Sequence, residues 1–452
     1  MHNDIKGKPS IIIPQSFDPY GCEPFGCSGI RRPKLLFLSR PFPPLQVIGC
    51  VRTWNIAKCL SRLGWDVTVV TPQPEMWANL EDVEKTQLAL EQEGIKKILT
   101  AHQWQCLVTS SKQYQRQGVG RVFGGMCRTL ARTFGIDNGI GWMHAAEQAC
   151  QTLTKKDVDL ILATGSPFSA FRVAQRISKR LGCPYVMDYR DLWTDNLHGV
   201  GWTRESTIQE EAQLLQGAGA VTIVSSSWGL DLKERYRLGG KLHVVTNGYD
   251  HESLADVNPY SFDHFAIVYA GTFYPPKRSI SPLMAALQRL KNNMLGGCIP
   301  EWFFHYYGND CQYVREEAQQ WGVKDKVVLH GKVSRQEALS AVKGAGVAVV
   351  ITSLAEKATL ADKGMVPAKV YEAMGLETPI LVIAPQGSDI EGVIEQASMG
   401  KRFDGLDIEG IEEFLMGLMK GALTPNSPSQ EYAWENIGKK FDDLLRTVMC
   451  RV

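Results

Sequence analysis

No stretch of this sequence reaches the roughly 18 consecutive apolar residues that a membrane-spanning helix requires, so a protein built of spanning helices is not expected. Charge of one sign is missing too. The formal net charge is +1, which leaves no global field to recruit nucleic acid, and any basic patch must be local. The eleven cysteines are odd in number and scattered without a CxxC pair. That speaks against a disulfide framework and for a reduced, cytoplasmic protein. No GxGxxG follows the first strand, which argues against a dinucleotide oxidoreductase. No acidic DxD pair stands in a convincing strand-end context, and no residue is placed as an obvious covalent nucleophile. The start, "MHNDIKGKPSIIIPQSFDPYGCEPFGCSG", lacks the layout of a signal peptide. Rich in Gly, Pro and Ser, residues 1–32 read as a poorly ordered tail.

What is present is ordinary globular composition, 44% apolar and 21% charged, over 452 residues, a length that suggests two or three domains. "KLLFLS", a helix "VRTWNIAKCLSRLG" stopped by Gly64, and "WDVTVVTP" make one βαβ unit. "DLILATG", "PYVMDYRD", "AVTIVSSS" and "LHVVTNGYD" continue the array. A second array runs through "FAIVYAGT", "WFFHYYGN", "KVVLHGKV", "GVAVVIT" and "PILVI". The expected fold class is α/β: two doubly wound, Rossmann-like domains, 33–255 and 256–428, facing across a cleft, with the hinge in the polar stretch Asp250 to Ser261. Ligands of such folds bind beyond the C-terminal ends of the strands, which points to Arg40–Gly49, Thr164–Ser169, Arg190 and Asp191, Gly271–Arg278, and Glu372.

"GMVPAKVYEAMGLETPILVI" carries the sharpest pattern. Pro367 suits the first turn of a helix. Lys369 and Glu372, one turn apart on one face, can converge on a ligand or form a plain surface ion pair. Lys277 and Arg278 are candidate anion ligands or a solvated turn. Asp191 is a candidate acidic group or the cap of a following helix, with Trp193 as a core plug. Ser166 and Ser169 can be helix caps. Gly49 permits close backbone approach, and Arg52 reads equally as an acceptor-phosphate contact or a surface arginine.

Four stretches, "VPAKVYEAMGLETPILV", "YAGTFYPPKRSISPLMAAL", "ATGSPFSAFRVAQRISKRLGCPYVMDYRDLW" and "PFPPLQVIGCVRTWNIAKCL", resemble the GT-B glycosyltransferases. The likeness is to the large retaining, family 4-like group, in its bacterial polysaccharide and exopolysaccharide branch, and it spans residues 33 to 447. It implies that Glu372 accepts hydrogen bonds from both ribose hydroxyls of a nucleotide-sugar donor. Lys369 then lies toward the diphosphate, with Pro367, Gly271 and Thr272 in the same site. Lys277 and Arg278 stabilise the leaving diphosphate, so that the resemblance implies neither a metal nor a cofactor, and Asp191 faces the reacting sugars. Gly49, Arg52, Ser166 and Arg190 form the acceptor side, and residues 429–452 form a helix crossing back to the first domain. Two positions depart from the pattern. Gly364 stands where much of the family has a second Glu, and Glu377 stands where many members have Gly.

The resemblance further implies a retaining front-face substitution that moves a sugar, most frequently from UDP in this family, to a saccharide or lipid-linked saccharide acceptor. Basic segment 112–132, with Val122, Phe123, Met126 and Leu130 at helical spacing, could meet an anionic membrane surface from the cytoplasmic side or be an exposed helix packed on the domain. Nucleic acid is not an expected partner. The rival readings are a sugar-nucleotide epimerase of the same fold and a non-catalytic nucleotide-sugar or carbohydrate-binding protein.

Overall fold

The apolar run Leu35–Leu38 is buried on both faces in strand β1 (Lys34–Leu38), as a parallel strand between two helical layers must be. The computed structural model describes residues 31–45, 47, 49–73, 80–100, 140–194, 205–293, 300–422 and 429–451. Residues 1–30 of the expected tail, and the basic segment 112–132, lie outside the described residues. β1 belongs to a seven-stranded parallel sheet with β2 (Asp66–Pro72), β3 (Lys96–Thr100), β4 (Leu160–Gly165), β5 (Tyr185–Tyr189), β6 (Ala220–Ile223) and β7 (Leu242–Val244), in the order β3-β2-β1-β4-β5-β6-β7. A six-stranded parallel sheet follows: β8 (Phe265–Ala270), β9 (Trp302–Tyr307), β10 (Val327–Gly331), β11 (Val347–Ile351), β12 (Ile380–Ile383) and β13 (Gly400–Phe403), in the order β10-β9-β8-β11-β12-β13. The α/β, doubly wound pair expected from the sequence is therefore what the chain forms. Each strand order reverses once, between β1 and β4 and between β8 and β11. At such a switch point successive crossovers leave on opposite faces and open a crevice beyond the strand ends.

The helix Trp434–Met449 buries Trp434, Ile437, Phe441, Leu445 and Val448, an apolar stripe at helical spacing. These side chains enter the first lobe's core beside Leu35, Phe37, Ile56 and Leu60. Each adds about 1.5–3 kcal/mol of burial. The helix lies so close to helix Gly49–Arg62 that a Cβ at Gly438 would come within 2.4 Å of Cys59. The chain crosses between lobes twice, and the crossings meet. Tyr249 N–H donates to Tyr432 O at 2.9 Å, and Trp434 N–H donates to Tyr249 O at 3.0 Å.

Under the first crossing lies a buried ion pair. Arg52, on helix Gly49–Arg62, donates to both oxygens of Asp188 on β5, at 2.6 and 3.1 Å. Thr164 and Thr222 donate hydroxyls to the same carboxylate at 2.8 and 2.7 Å. The guanidinium also donates to Val245 O and Thr246 O, at 3.0 and 2.8 Å. Arg52 is thus a clamp on the interlobe crossing, 3% exposed. Its expected place at an acceptor phosphate is corrected, because all of its reach is directed inward. Among the described residues, no helix is long and apolar enough to cross a membrane.

Candidate functional site

At the second lobe's switch point, β8 ends and the chain turns through Gly271 at φ 146, a backbone conformation that glycine alone adopts freely. A Cβ there would stand 3.0 Å from Lys369 Nζ and crowd the ammonium. The turn is held in place by residues with no motif in the sequence. Asp310 accepts from Phe273 N–H at 2.8 Å, and Tyr306 donates its hydroxyl to Gly271 O at 3.0 Å. Beyond Thr272 the chain folds back on itself, with Tyr274 and Arg278 exchanging backbone hydrogen bonds around Pro275 and Pro276.

This hairpin brings Arg278 to the end of β11, where its Nε donates to Thr352 O at 3.4 Å and its Nη2 to Met365 Sδ at 2.7 Å. Lys369 reaches the same place from helix Ala368–Gly375. Its ammonium sits 3.8 Å from the Tyr269 ring centroid and 3.4 Å from Ala270 O. Neither cation makes a salt bridge among the described residues. Burial, and then the positive charge of Arg278, push the Lys369 ammonium down to about 7, with Glu372 opposing. Among the described residues the buried Thr352 hydroxyl has no hydrogen-bond partner, and Arg278 reaches the carbonyl of the same residue. Two unneutralised cations and a spare hydroxyl around a glycine turn suit an anion with several oxygens. Lys277 differs: it is largely exposed and pairs with Asp362 at 3.5 Å.

Pro367 is the cap of helix Ala368–Gly375 rather than a residue of its first turn, with φ −66 and ψ 143; the helix begins one residue later than its sequence suggests. Glu372 lies on the next turn and is held by Arg335 at 2.5 Å. Its side chain is 18% exposed, so a ligand hydroxyl can reach it from solvent. Glu377 adopts φ 59 just past this helix, the left-handed conformation in which a glycine is at ease.

The first switch point gathers the acceptor-side candidates. Arg190, after β5, donates from its side chain to Gly165 O at 3.2 Å and to Ser166 O. A Cβ at Gly49 would lie 2.1 Å from Arg190 Nη1, so a side chain there would have to displace the Arg190 guanidinium. Burial pulls the Arg190 guanidinium below its usual range, and the charge of Asp191 opposes that shift. Helix Ser169–Leu181 is capped by Phe168, not by either serine. Trp193 is fully buried, stacked on Phe168 at 5.2 Å. The structure thus assembles Gly49, Ser166, Arg190 and Asp191 on one lobe, and Gly271, Thr272, Arg278 and Lys369 on the other. Among the described residues, no cluster of three His, Cys, Asp or Glu side chains could hold a metal.

Residues 50–248 match the family described as the glycosyl transferase 4-like domain, and residues 264–419 match glycosyl transferases group 1. No match to a curated protein sequence is found. Among solved structures, the chain is similar to a sucrose-phosphate synthase from Thermosynechococcus elongatus, with TM-score 0.61 and 15% identity over 93% of this chain and 100% of that one. It is similar to the lipopolysaccharide outer core galactosyltransferase WaaB, with TM-score 0.54 and 14% identity over 92% and 99%. It is also similar to Anabaena HepE, solved with UDP and glucose, with TM-score 0.51 and 15% identity over 92% and 100%. At such identities the likeness speaks for the fold.

Proposed function

The chain belongs to the GT-B glycosyltransferases, and from that premise we propose that it transfers a sugar, with retention of configuration, from a UDP-sugar to a saccharide or lipid-linked saccharide in cell-surface polysaccharide synthesis. The observation that carries this reading is the Lys369–Arg278 pair, two cations without carboxylate partners at a glycine turn. A diphosphate fills that place. HepE, of the same fold, is solved with UDP, which supports the choice of nucleotide.

In this reading the donor ribose replaces Arg335 on Glu372, whose two oxygens accept from the two hydroxyls. Lys369, Arg278 and the Thr352 hydroxyl take the diphosphate oxygens. As the bond from the anomeric carbon to the phosphate oxygen breaks, charge builds on the leaving group, and cations fixed beforehand stabilise it. The acceptor hydroxyl attacks from the same face and passes its proton to a departing phosphate oxygen. The first lobe orients that acceptor, with Arg190 held over Ser166 and Asp191 beside it. Side-chain cations carry the charge, so no metal is called for. Work at a lipid-linked acceptor would take place on the cytoplasmic face of a membrane, with segment 112–132 as the contact.

Calorimetry with UDP tests the site. The wild-type protein should bind UDP, and Glu372→Ala should weaken binding by about 10- to 100-fold, the worth of hydrogen bonds to a charged acceptor. Equal affinity in the two proteins would remove Glu372 from the site. UDP binding without turnover of any UDP-sugar would mark a non-catalytic binding protein.

Lys369 gives the same titration a pH signature. The empty site holds its ammonium at about 7, and a bound diphosphate must raise it. Below pH 7 the lysine is already charged and its contribution is complete. Above pH 7 binding takes up a proton, so affinity should fall by as much as about tenfold per pH unit until the bound-state value is passed. Lys369→Arg does not titrate in this range and should flatten the profile. A wild-type affinity that holds level from pH 7 to 9 contradicts the assignment.

A further inference from the structure

Trp228, on helix Ser226–Tyr236 of the first lobe, is 7% exposed, yet its indole does not end in its own lobe. Nε1 donates to Ala361 O of the second lobe at 3.0 Å. The ring lies against Gly364, where an added Cβ would come within 2.2 Å of Trp228 Cδ1 and 2.5 Å of Nε1. Gly364 has φ −75 and ψ 0, a conformation open to any residue, so it is the indole and not the backbone that demands glycine. Ala361 and Met365 pack against the first-lobe core around Trp228. Next to it, Ser227 N–H and Oγ donate to Asp389 Oδ2 and Oδ1, at 2.8 and 2.7 Å, so the seam is fixed at two points.

The segment that Trp228 holds is tied to both basic residues of the hairpin after β8, Lys277 and Arg278. Asp362 closes a capping box with Thr359, accepts from Ser353 at 3.0 Å and pairs with Lys277 at 3.5 Å. Leu354 N–H donates to Lys277 O at 2.7 Å. Met365 receives Arg278 Nη2. Glu372 lies outside this chain of contacts, since its helix starts after Pro367 and its partner is Arg335.

We propose that Trp228 is a positioning residue for transfer: seated on Gly364 and bonded to Ala361, it braces segment 359–365 so that Arg278 is aimed at the departing diphosphate only while the lobes are docked. The inference rests on the glycosyltransferase reading and assigns a part to a residue of the opposite lobe. It also accounts for Gly364: the space that a side chain there would need is filled by the indole.

Two variants approach the contact from opposite sides. Trp228→Phe keeps a ring in the first-lobe core but loses the N–H. Gly364→Ala changes no first-lobe residue and drives a methyl group into the indole. Hydrogen exchange, UDP calorimetry and steady-state transfer are measured on each. Both variants should lose exchange protection over 359–365 while keeping it over 368–376. Both should bind UDP within about threefold of wild type and lower kcat by about tenfold or more, the pattern of an interaction realised in the transition state rather than in ground-state binding. Wild-type protection over 359–365 in both variants overturns the proposal, as does lost protection with unchanged kcat. A parallel fall in UDP affinity, kcat and thermal stability also overturns it, because that is a general packing defect. If the wild-type protein itself neither binds UDP nor turns over a UDP-sugar, the glycosyltransferase reading fails first and this assignment with it.

Discussion

Asp188→Ala should lower the unfolding free energy of the first lobe by about 3–5 kcal/mol, the cost of breaking a buried ion pair from one side. Asp188 is fully buried and receives four hydrogen bonds, two from Arg52 and one each from Thr164 and Thr222. Removing the carboxylate strands a guanidinium that is itself 3% exposed, and leaves two hydroxyls without an acceptor. Arg52 also holds Val245 O and Thr246 O, so the loss extends to the interlobe crossing. The measurement is denaturant unfolding followed by a first-lobe signal. The double replacement Arg52→Met with Asp188→Leu should cost much less than either single change, because no lone charge remains. A single-variant loss below about 1 kcal/mol, the range of an exposed pair, contradicts the picture. Although burial opposes it, the Arg52 guanidinium holds the Asp188 carboxyl below its usual range, with Thr222 and Thr164 assisting. Its stabilisation is therefore complete above the ordinary carboxylate range, near pH 4, and is lost as pH falls through the depressed folded-state value.

Arg278→Ala should reduce kcat/KM for sugar transfer by about 10²- to 10³-fold, the usual cost of removing one fixed donor aimed at developing charge. The geometry separates it from its neighbour in sequence. Arg278 is half-buried, contacts a carbonyl, a thioether and the Tyr274 ring, and has no salt bridge among the described residues. Lys277 is largely exposed and already paired with Asp362. Lys277→Ala should therefore cost less than about tenfold, since an exposed, partnered ammonium has little left to give. Arg278→Lys should recover only part of the loss, because an ammonium cannot present two parallel N–H groups to a phosphate. Steady-state transfer with a UDP-sugar, alongside UDP calorimetry, checks all three. Equal effects of Lys277→Ala and Arg278→Ala would show that the hairpin acts as a diffuse positive patch.

The central strands could be read from sequence because burial on both faces writes an unbroken apolar run, as in "LILATG" or "PILVI". β3 (KKILT) and β13 (GKRF) could not. Each sits at a sheet edge, where lysine and arginine guard against pairing with another chain, and the apolar run is interrupted. Gly271 and Arg278 stand out in the sequence because they follow a buried strand, and Lys369 because it shares a helix face with Glu372. The true partner of Arg52 does not, since Asp188 lies 136 residues away and no local pattern links them. The same holds for Trp228 against Gly364 and for Arg335 on Glu372. These are contacts between elements, and spacing along one element carries no trace of them. Thr352 was missed for a simpler reason: a threonine at the end of a buried strand looks like any other until its hydroxyl is found without a partner.

The pairing of Tyr249 with Tyr432 and Trp434 has a consequence for motion. A lobe tethered by one strand of chain can swing, twist and slide. Here both covalent tethers run side by side and are hydrogen-bonded to each other, and Gly248 lets them press together, with a Cβ there only 2.3 Å from Tyr432 O. Twist and slide would have to tear that short ladder, whereas rotation about its axis leaves it intact. A hinge built this way should favour one soft coordinate, like a door hung on two pins in a single line, and a stroke about it would bring the same atoms back opposite one another.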